Sequence, residues 1–364
     1  MTEKVKIVGC DVGTGTLLTA SMTEENKIKI NRMRDMFIFV DDDDITSSEL
    51  SESKLDYITQ YDDEGNVEFH AVIGNDALIF SNLFDREVKR PMSNGVISST
   101  EIDAIDIITK MFEKLTGVVE KDQSGLCVYS IPAPAVDIDM PSVDYHEHVF
   151  KSIFNSLNFE AISLNEGHSV IFSECAKEKF TGIGISFGAG LTNVCLSYKG
   201  SAVLKFSVGR GGDWIDKNAG KSVNKVPNKM TSIKEKSLDL SNPSKGDKKQ
   251  KREREAIAFY YEMLIEHVLK TFINEFNNKT DGTEFEEAIP IVLSGGTSLV
   301  KGFKDTFEKK FKELGEFPYE VSTIKMAKDP ISTVAQGCLI YAHWLNKKSQ
   351  GTNSKPETNK NEKQ

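Results

Sequence analysis

The sequence predicts an α/β fold built from two similar halves, and two observations support this. Short apolar runs of strand length alternate with longer amphipathic stretches of helical period. A glycine-rich passage at residues 9–16 (GCDVGTGT) also returns at residues 185–193 (ISFGAGLTN), where a shift of 175 residues superimposes Asp11 on Ser186 and aligns the glycines. Apolar runs flank both copies, so each half is expected to begin with a strand, a tight turn and a second strand.

The two glycine passages are candidate anion-binding loops. Alternating glycines can take positive φ and turn several backbone N–H groups toward one point, an arrangement that binds anions. Gly-x-Gly is also common in ordinary β-hairpin turns, so each copy taken alone fits either interpretation. Only the first copy carries a charge, because Ser186 stands in the second where Asp11 stands in the first. Two such loops acting together would hold an anion from two sides and a cation from one.

Composition disfavours several classes of protein. The 364 residues are 39% hydrophobic and carry a formal net charge of −10, which argues against direct binding of nucleic acid. This length allows two domains with sizeable cores. No apolar stretch reaches the roughly 20 residues that cross a bilayer, and the N-terminus enters a predicted strand directly, so we expect neither a transmembrane segment nor a signal peptide.

Cysteine usage indicates a reducing compartment. The five cysteines are scattered along the chain without a Cys-x-x-Cys pair, and four of them lie in apolar runs. Such cysteines behave as small core residues in cytosolic proteins. We therefore expect a cytoplasmic protein with neither a zinc site nor a disulfide framework.

Periodicity and turn chemistry predict the remaining elements. Helices are expected at 75–83, from about 101 to 112, at 146–157, from 248 to about 274, at 302–311 and up to about 346. Strands are expected at 37–40, 69–73, 125–131 and 161–164, in a hairpin at 193–208, and before the Gly-Gly turn at 295–296.

Three local patterns carry further expectations. The helix after residue 101 should bury the apolar series Ile102, Ile105, Ile108, Met111 and Phe112. The four aspartates at 41–44 lack the ligand spacing and central glycine of a calcium loop, so they predict a solvated, mobile loop. Residues 347–364 are rich in Lys, Asn, Ser and Gln and predict a disordered tail.

The chain resembles the actin superfamily in five motifs that occur in the family's order. These are GCDVGTGTLLTA at 9–20 and GIGISFGAGLTNVCL at 182–196 (the two phosphate hairpins), NEGHSVIFSE at 165–174 and DPISTVAQGCLIYA at 329–342 (the two interdomain helices), and VLSGGTSLVKGF at 292–303 (the adenosine motif). The segment at 72–99 is similar to the bacterial filament-forming actins of the MreB and MamK type. The resemblance extends from residue 1 to about residue 345.

This resemblance implies two ribonuclease-H-like lobes with ATP or ADP and Mg²⁺ in the cleft between them. It also implies four subdomains and a tail. Subdomain IA would comprise 1–35, 95–165 and 329–346, subdomain IB the insertion 36–94, subdomain IIA 166–212 and 256–328, subdomain IIB 213–255, and the tail 347–364. A metabolite kinase of the same superfamily is disfavoured by the length and by the lack of a recognisable sugar site.

The resemblance also assigns roles to individual residues. Asp11 would hold Mg²⁺ through water and act in catalysis, and Glu166 would orient or deprotonate the attacking water. The phosphates would be contacted by Gly13, Thr14, Gly15, Thr16, Ser186, Gly188, Ala189, Gly190 and Thr192, and the nucleoside by Lys234, Glu235, Gly295, Gly296 and Thr297. A structural interpretation stays open for two of them, because Asp11 could simply end a strand and Glu166 could be a first-turn acid after a capping Asn165. Asp213 is expected to order the start of subdomain IIB rather than to touch nucleotide.

Ser186 departs from the family, which usually carries Asp at this point of the second hairpin. Removing one pre-organised electrostatic group slows a catalytic step by about 10²- to 10³-fold, whereas phosphate contacts from backbone N–H groups are unaffected. Two functions follow. The first is an ATP-binding filament protein that assembles with copies of itself, with slow hydrolysis and an adaptor or cargo partner. The alternative is a nucleotide switch that does not polymerise and hydrolyses little ATP.

Overall fold

The computed structural model describes residues 5–40, 52–84, 87–101, 103–120, 123–279 and 285–352. The strands are β1 (Lys6–Val12), β2 (Thr16–Met22), β3 (Ile28–Arg34), β4 (Phe37–Val40), β5 (Tyr57–Tyr61), β6 (Val67–Ile73), β7 (Met92–Ser93), β8 (Val96–Ile97), β9 (Gly125–Ile131), β10 (Glu160–Asn165), β11 (Gly182–Phe187), β12 (Thr192–Tyr198), β13 (Ser201–Val208), β14 (Ile289–Ser294) and β15 (Val321–Met326). The helices are α1 (Gly74–Phe84), α2 (Ala104–Thr116), α3 (Val143–Ser156), α4 (Glu166–Glu174), α5 (Gly212–Val223), α6 (Pro227–Ser237), α7 (Lys251–Lys279), α8 (Phe303–Glu313) and α9 (Thr333–Thr352), with short 3₁₀ helices at Lys248–Gln250 and Gly296–Leu299.

Two five-stranded sheets with the same topology form the two lobes. The first has the order β3-β2-β1-β9-β10 and the second has the order β13-β12-β11-β14-β15. In each sheet three antiparallel strands, consecutive in sequence, are followed by two parallel ones. The duplication read from the glycine passages is therefore a duplication of the whole sheet, and both predicted hairpins are confirmed.

Helices α4 and α9 pack between the sheets, and glycines set how closely they approach. A Cβ on Gly9 of β1 would lie 2.2 Å from the backbone N of Leu339 in α9, and a Cβ on Gly184 of β11 would lie 2.2 Å from the carbonyl oxygen of Gly167 in α4. Gly9 and Gly184 occupy equivalent positions of the repeat, 175 residues apart. Each lobe therefore receives one interdomain helix against the central strand of its sheet.

An insertion leaves the first lobe after β3 and forms a small unit of its own. Strands β4, β6 and β5 form a three-stranded sheet, and α1 packs against it over a separate apolar cluster that includes Met36, Val72 and Phe80. The chain enters and leaves this unit at the same place, because Phe37 and Lys89 exchange backbone hydrogen bonds of 2.9 Å. This unit lies within the span predicted for subdomain IB. The division into four subdomains stays a prediction.

Three details differ from the expected elements. Helix α2 buries Ile107, Ile108, Met111, Phe112 and Leu115, whereas Ile105 is 37% exposed. Ile105 was wrongly placed on the core face because that face runs through Ala104, Ile108 and Leu115, and Ile105 lies at its edge. Ile102 lies outside the described residues. Helices α7 and α9 end later than expected, at Lys279 and Thr352.

Two predicted features lie wholly or partly outside the described residues. The aspartates at 41–44 are among them, and so are residues 353–364 of the predicted tail. Residues 347–352 of that tail continue helix α9, so the expectation of disorder is wrong for this part. In the described part of the chain no helix has both the length and the apolar character needed to cross a membrane.

Candidate functional site

A cleft of about 1060 Å³ lies between the two lobes, at the turns of both repeated hairpins. Its walls include fifteen of the sixteen residues that the sequence assigned to nucleotide binding or catalysis. These are Asp11, Gly13, Thr14, Gly15, Thr16, Glu166, Ser186, Gly188, Ala189, Gly190, Lys234, Glu235, Gly295, Gly296 and Thr297. Residues far apart in the sequence are thus brought to one cavity.

Thr192 is the exception. Its side chain is fully buried in β12, and its hydroxyl donates a hydrogen bond of 2.8 Å to the carbonyl oxygen of Arg210. It does not line the cleft, so the expected phosphate contact from the Thr192 hydroxyl is wrong in this arrangement. Its position explains the difference: Thr192 is the first residue of the strand after the turn, and its side chain points into the lobe.

The glycines of the two turns are needed for close approach rather than for positive φ. None of Gly13, Gly15, Gly188 or Gly190 has a positive φ, so the nest geometry expected from the sequence is wrong. A Cβ on Gly13 would lie 2.7 Å from the carbonyl oxygen three residues on, and a Cβ on Gly188 would lie 2.8 Å from the equivalent oxygen. The repeat therefore preserves a tight turn that excludes any side chain.

The two turns also approach one another across the cleft. A Cβ on Gly15 would lie 3.1 Å from the Cβ of Ala189, and a Cβ on Gly190 would lie 2.7 Å from the backbone N of Gly95. That N–H donates a hydrogen bond of 3.0 Å to the Thr14 hydroxyl. The first turn, the second turn and the loop between β7 and β8 therefore meet at the base of the cleft without room for larger side chains.

Asp11 supplies the carboxyl group of the first hairpin. It lies near the end of β1, and the Ser130 hydroxyl donates a hydrogen bond of 3.1 Å to its Oδ1. Burial raises the pKa of Asp11 to about 7, and the hydrogen bond from Ser130 opposes this shift. Within the described residues no three histidine, cysteine or acidic side chains converge on one point. A cation bound here would therefore need oxygen ligands from water or phosphate in addition to Asp11.

Glu166 is the first residue of α4 and stands beside Asp11. Asn165 caps this helix, because its Oδ1 accepts a hydrogen bond of 3.2 Å from the backbone N of His168. Burial, and after it the charge on Asp11, raise the pKa of Glu166 to about 8, while polar contacts with Ser186 and Asn193 lower it. The capping interpretation and the functional one are thus compatible, since Asn165 fixes the helix start and the Glu166 carboxyl faces the cleft.

Asn193 is a polar residue of this group that sequence reasoning missed. It is fully buried in β12 and pairs directly with Ser186 across the hairpin, whereas the equivalent pair in the first hairpin is Asp11 with Leu18. Its Oδ1 accepts a hydrogen bond of 2.9 Å from the backbone N of Ala133. Asn193 lowers the pKa of the Glu166 carboxyl, and its Nδ2 has no hydrogen-bond partner among the described residues. Asn193 aligns with Leu18 in the repeat, so a polar residue stands where the first copy has an apolar one. This difference could have identified Asn193 from the sequence.

The adenosine motif forms the wall beside the second hairpin. Gly295 has a φ of 90°, and a Cβ there would lie 2.3 Å from the carbonyl oxygen of Phe187, so this glycine does require positive φ. The Thr297 hydroxyl donates a hydrogen bond of 2.8 Å to the carbonyl oxygen of Gly188. Tyr261, a second residue missed from the sequence, donates its hydroxyl to the Thr297 carbonyl oxygen at 3.0 Å. These bonds hold the motif against the glycine turn.

Lys234 lines the cleft as expected but is already paired. Its Nζ lies 2.6 Å from Oδ2 of Asp216, a buried residue of α5 that the sequence did not single out. Glu235 lines the same wall. Asp213, at the start of α5, pairs with Arg90 of the first lobe at 3.1 Å, and its backbone N donates to the carbonyl oxygen of Ala189 at 2.9 Å. Asp213 thus joins the second glycine turn to the opposite lobe.

The two lobes share one topology and are joined by helices that cross between them. The paired glycine hairpins line the cleft between the lobes. This arrangement defines the actin-like ATPase fold. The chain belongs to the Volactin family, whose model matches residues 7–342. No curated protein matches it.

Solved structures support the fold at low sequence identity. The MamK double helical filament is 15% identical, with a TM-score of 0.66 over 93% of this chain and 99% of that one. MreB 5 of Spiroplasma citri, bound to AMPPNP, is 14% identical, with a TM-score of 0.64 over 96% and 99%. The ethanolamine utilization protein EutJ from Carboxydothermus hydrogenoformans is 14% identical, with a TM-score of 0.52 over 94% and 91%. The resemblance to MreB and MamK read from the motifs is confirmed at the level of fold.

Proposed function

We propose that this protein binds ATP with Mg²⁺ in the interlobe cleft and assembles with copies of itself into filaments whose disassembly is promoted by slow hydrolysis. The observation that carries the proposal is the convergence of both glycine turns, Asp11, Glu166 and the adenosine motif on one cavity. Proteins with a similar fold include the MamK double helical filament and MreB 5 bound to AMPPNP.

The chemistry of the cleft fits a nucleotide and its cation. The glycine turns line the cleft, where their backbone N–H groups could bind phosphate oxygens, and Asp11 offers the hard oxygen ligand that hydrated Mg²⁺ prefers. Mg²⁺, when bound, would neutralise phosphate charge. Because the two turns belong to different lobes, contact with a triphosphate depends on how the lobes are closed, and this links the bound nucleotide to the shape of the subunit.

In this proposal Glu166 accepts a proton from the attacking water. A general base works best when its pKa lies near the working pH, and burial brings the pKa of Glu166 to about 8. Ser186 and Asn193 lower the pKa of the same carboxyl and so favour its charged form. Ser186 brings no charge, which favours slow turnover over fast turnover.

Ser186 also favours a second candidate, a switch that binds ATP, hydrolyses little of it and does not polymerise. The two functions share the cleft and differ in assembly and turnover. They are separated by whether the nucleotide-bound protein remains a monomer at every concentration.

Isothermal titration with Mg²⁺ and ATP tests the binding step that both candidates share. We expect Asp11→Asn to weaken binding about 10-fold or more in Mg²⁺, because it removes the carboxylate charge. Asp305→Asn, at an exposed position of α8, is the matched control and should bind as the wild type does. Absence of ATP binding by the wild type would contradict both candidates.

A further inference from the structure

Two exposed apolar side chains lie on a hairpin of the insertion that leaves the first lobe. Tyr61 ends β5 and pairs with Val67 at the start of β6, and the two residues are 57% and 49% exposed. Strand β6 reaches the base of the insertion at its other end, where Ile73 pairs with Phe37. The Tyr61–Val67 pair therefore lies at the end of β6 that is farther from the lobe.

Acidic residues flank this apolar pair, and we call residues 61–68 the acidic hairpin. It contains Asp62, Asp63, Glu64 and Glu68 and no basic residue. Asp62 organises the turn, because its Oδ1 accepts hydrogen bonds from the backbone N of Glu64 at 3.0 Å and of Asn66 at 2.8 Å. The side chains of the other three acids are exposed and form no ion pair with a described residue. A fixed turn thus presents an apolar pair and three unpaired charges.

The second lobe carries a surface of the opposite sign at the connection between α5 and α6, residues 217–229, which we call the basic tip. Val226 lies in this connection and is 66% exposed. Four exposed lysines flank it, namely Lys217, Lys221, Lys225 and Lys229. The basic tip contains no acidic residue, and none of the four lysines has an ion-pair partner in the part of the chain that the structure describes.

The acidic hairpin and the basic tip match in charge and in apolar content. Residues 36–94 contain 14 acidic and 4 basic residues, whereas residues 213–255 contain 7 acidic and 12 basic ones. Protein interfaces place apolar side chains at their centre and polar ones at their rim, and opposite charges guide the correct partners together. Two acidic hairpins would repel one another, as would two basic tips. Each surface therefore fits the other and not a copy of itself.

We propose that the acidic hairpin of one copy of this chain binds the basic tip of a second copy, with Tyr61 and Val67 against Val226 and the carboxylates beside the lysines. This rests on the assembly step of the proposed function and names a contact through which that step occurs. Within one copy, no hydrogen bond or ion pair between described residues joins the two surfaces. Because each copy carries both surfaces, the same contact can repeat from copy to copy.

Charge reversal separates a contact between copies from a contact within one copy. The hairpin variant combines three substitutions, Asp63→Lys, Glu64→Lys and Glu68→Lys. The tip variant combines Lys221→Glu, Lys225→Glu and Lys229→Glu. Each variant alone carries two surfaces of like sign, whereas in a mixture every contact between unlike copies joins opposite signs again. Mixing would not restore a contact that forms within one copy.

Light scattering and sedimentation with Mg²⁺ and ATP at low ionic strength measure assembly, after titration has verified that each variant binds ATP. We expect each variant alone to need about 10-fold or more protein than the wild type to assemble, and an equimolar mixture to come within about 3-fold of the wild type. Salt should weaken wild-type assembly, because the charges are exposed. The matched control combines Lys29→Glu, Lys151→Glu and Lys177→Glu at exposed positions elsewhere and should assemble as the wild type does.

The possible results separate this contact from the proposed function. Assembly of either variant alone at the wild-type concentration, or a mixture that stays dispersed although both variants bind ATP, would overturn the contact and leave the proposed function intact. A wild type that binds ATP but assembles at no concentration would overturn the assembly step, and the contact with it. Sedimentation of the wild type with phosphatidylglycerol vesicles, lost in the tip variant while that variant still assembles, would overturn the contact and assign the basic tip to a membrane.

Discussion

The carboxyl groups of Asp11 and Glu166 lie close enough for the charge on Asp11 to raise the pKa of Glu166. Burial raises both, to about 7 for Asp11 and about 8 for Glu166. Asp11 lies near the end of the first strand of one lobe, and Glu166 begins the helix that packs against the other. Carboxyl groups with these pKa values are partly protonated near neutral pH when no cation is bound.

This relationship predicts how the stability of the metal-free protein depends on pH. Below pH about 4 these carboxyls are protonated in both the folded and the unfolded chain, so they do not alter stability. Above that pH the unfolded chain loses its protons first, so the free energy of unfolding should fall as the pH rises from about 4 toward 8. Glu166→Gln should remove much of this fall.

Thermal unfolding in a chelating buffer measures the effect across this pH range. Glu316→Gln, at an exposed position, is the matched control and should reproduce the wild-type profile. If thermal stability depends on pH in the same way in Glu166→Gln and Glu316→Gln, the pKa of Glu166 is not raised in the folded protein.

The position of Ser186 predicts the effect of restoring a carboxylate to the second hairpin. With saturating Mg²⁺ and ATP, Ser186→Asp should raise the rate of phosphate release by about 10-fold or more, because it returns a pre-organised charge beside Glu166. Nucleotide affinity should change little. Without Mg²⁺ the same substitution adds a third acid next to Asp11 and Glu166 and should lower the thermal midpoint.

Phosphate release and thermal unfolding are measured on wild type, Ser186→Asp and Ser186→Ala. The alanine variant controls for loss of the hydroxyl and should not turn over faster than the wild type. If Ser186→Asp is no faster than Ser186→Ala in Mg²⁺, the missing charge does not limit the rate of hydrolysis.

The helix crossing predicts a strongly destabilising substitution. A Cβ on Gly337 of α9 would lie 1.8 Å from the carbonyl oxygen of Ser169 in α4, and a backbone atom cannot move aside as a side-chain end can. Gly337→Ala should therefore lower the free energy of unfolding by about 2 kcal/mol or more despite its better helix propensity.

Denaturant unfolding of Gly337→Ala, compared with Gly296→Ala, provides the measurement. An added methyl at Gly296 meets no atom within 4 Å, so that variant should unfold like the wild type. Equal stabilities of the two variants would mean that α4 and α9 do not cross at this distance.

The ion pair of Arg90 with Asp213 predicts an effect on nucleotide exchange rather than on stability. Its side chains are 37% and 48% exposed, so its loss should alter the free energy of unfolding by less than about 1 kcal/mol. The pair joins the lobes at the cleft, and Asp213→Asn should speed the release of a fluorescent ATP analogue several-fold in low salt.

Glu25→Gln is the matched control, since it removes a surface ion pair with Lys27 away from the cleft. Stopped-flow release should distinguish the two variants at low ionic strength and less so at high ionic strength. Equal release rates at low salt would mean that the pair does not restrain the cleft.

The repeated hairpins could be predicted from the sequence because their determinants are local. Apolar runs on both sides of a short Gly-x-Gly fix a strand, a turn and a strand, and the 175-residue shift shows that the chain does this twice. The order of motifs then placed fifteen of sixteen residues at one cleft. The conformation of the turn was not predictable in this way, because close approach and positive φ both select glycine.

The residues that sequence reasoning missed depend on long-range contacts. Asn193 is a buried polar residue of β12, and its interactions depend on the approach of Ala133 and Glu166. The sequence did not single out Asp216, and its ion pair is with Lys234, which lies on the next helix. Such pairs are set by how helices pack, which periodicity alone does not reveal.

The central claim is that ATP in this cleft drives assembly, and electron microscopy of the purified protein tests it most directly. Samples at micromolar concentration with Mg²⁺ and ATP, with Mg²⁺ and ADP, and without nucleotide are compared, with ATP binding verified on the same preparation. We expect filaments with ATP and few or none in the other two samples. Single particles in all three samples, from protein that binds ATP, would contradict it and favour the switch.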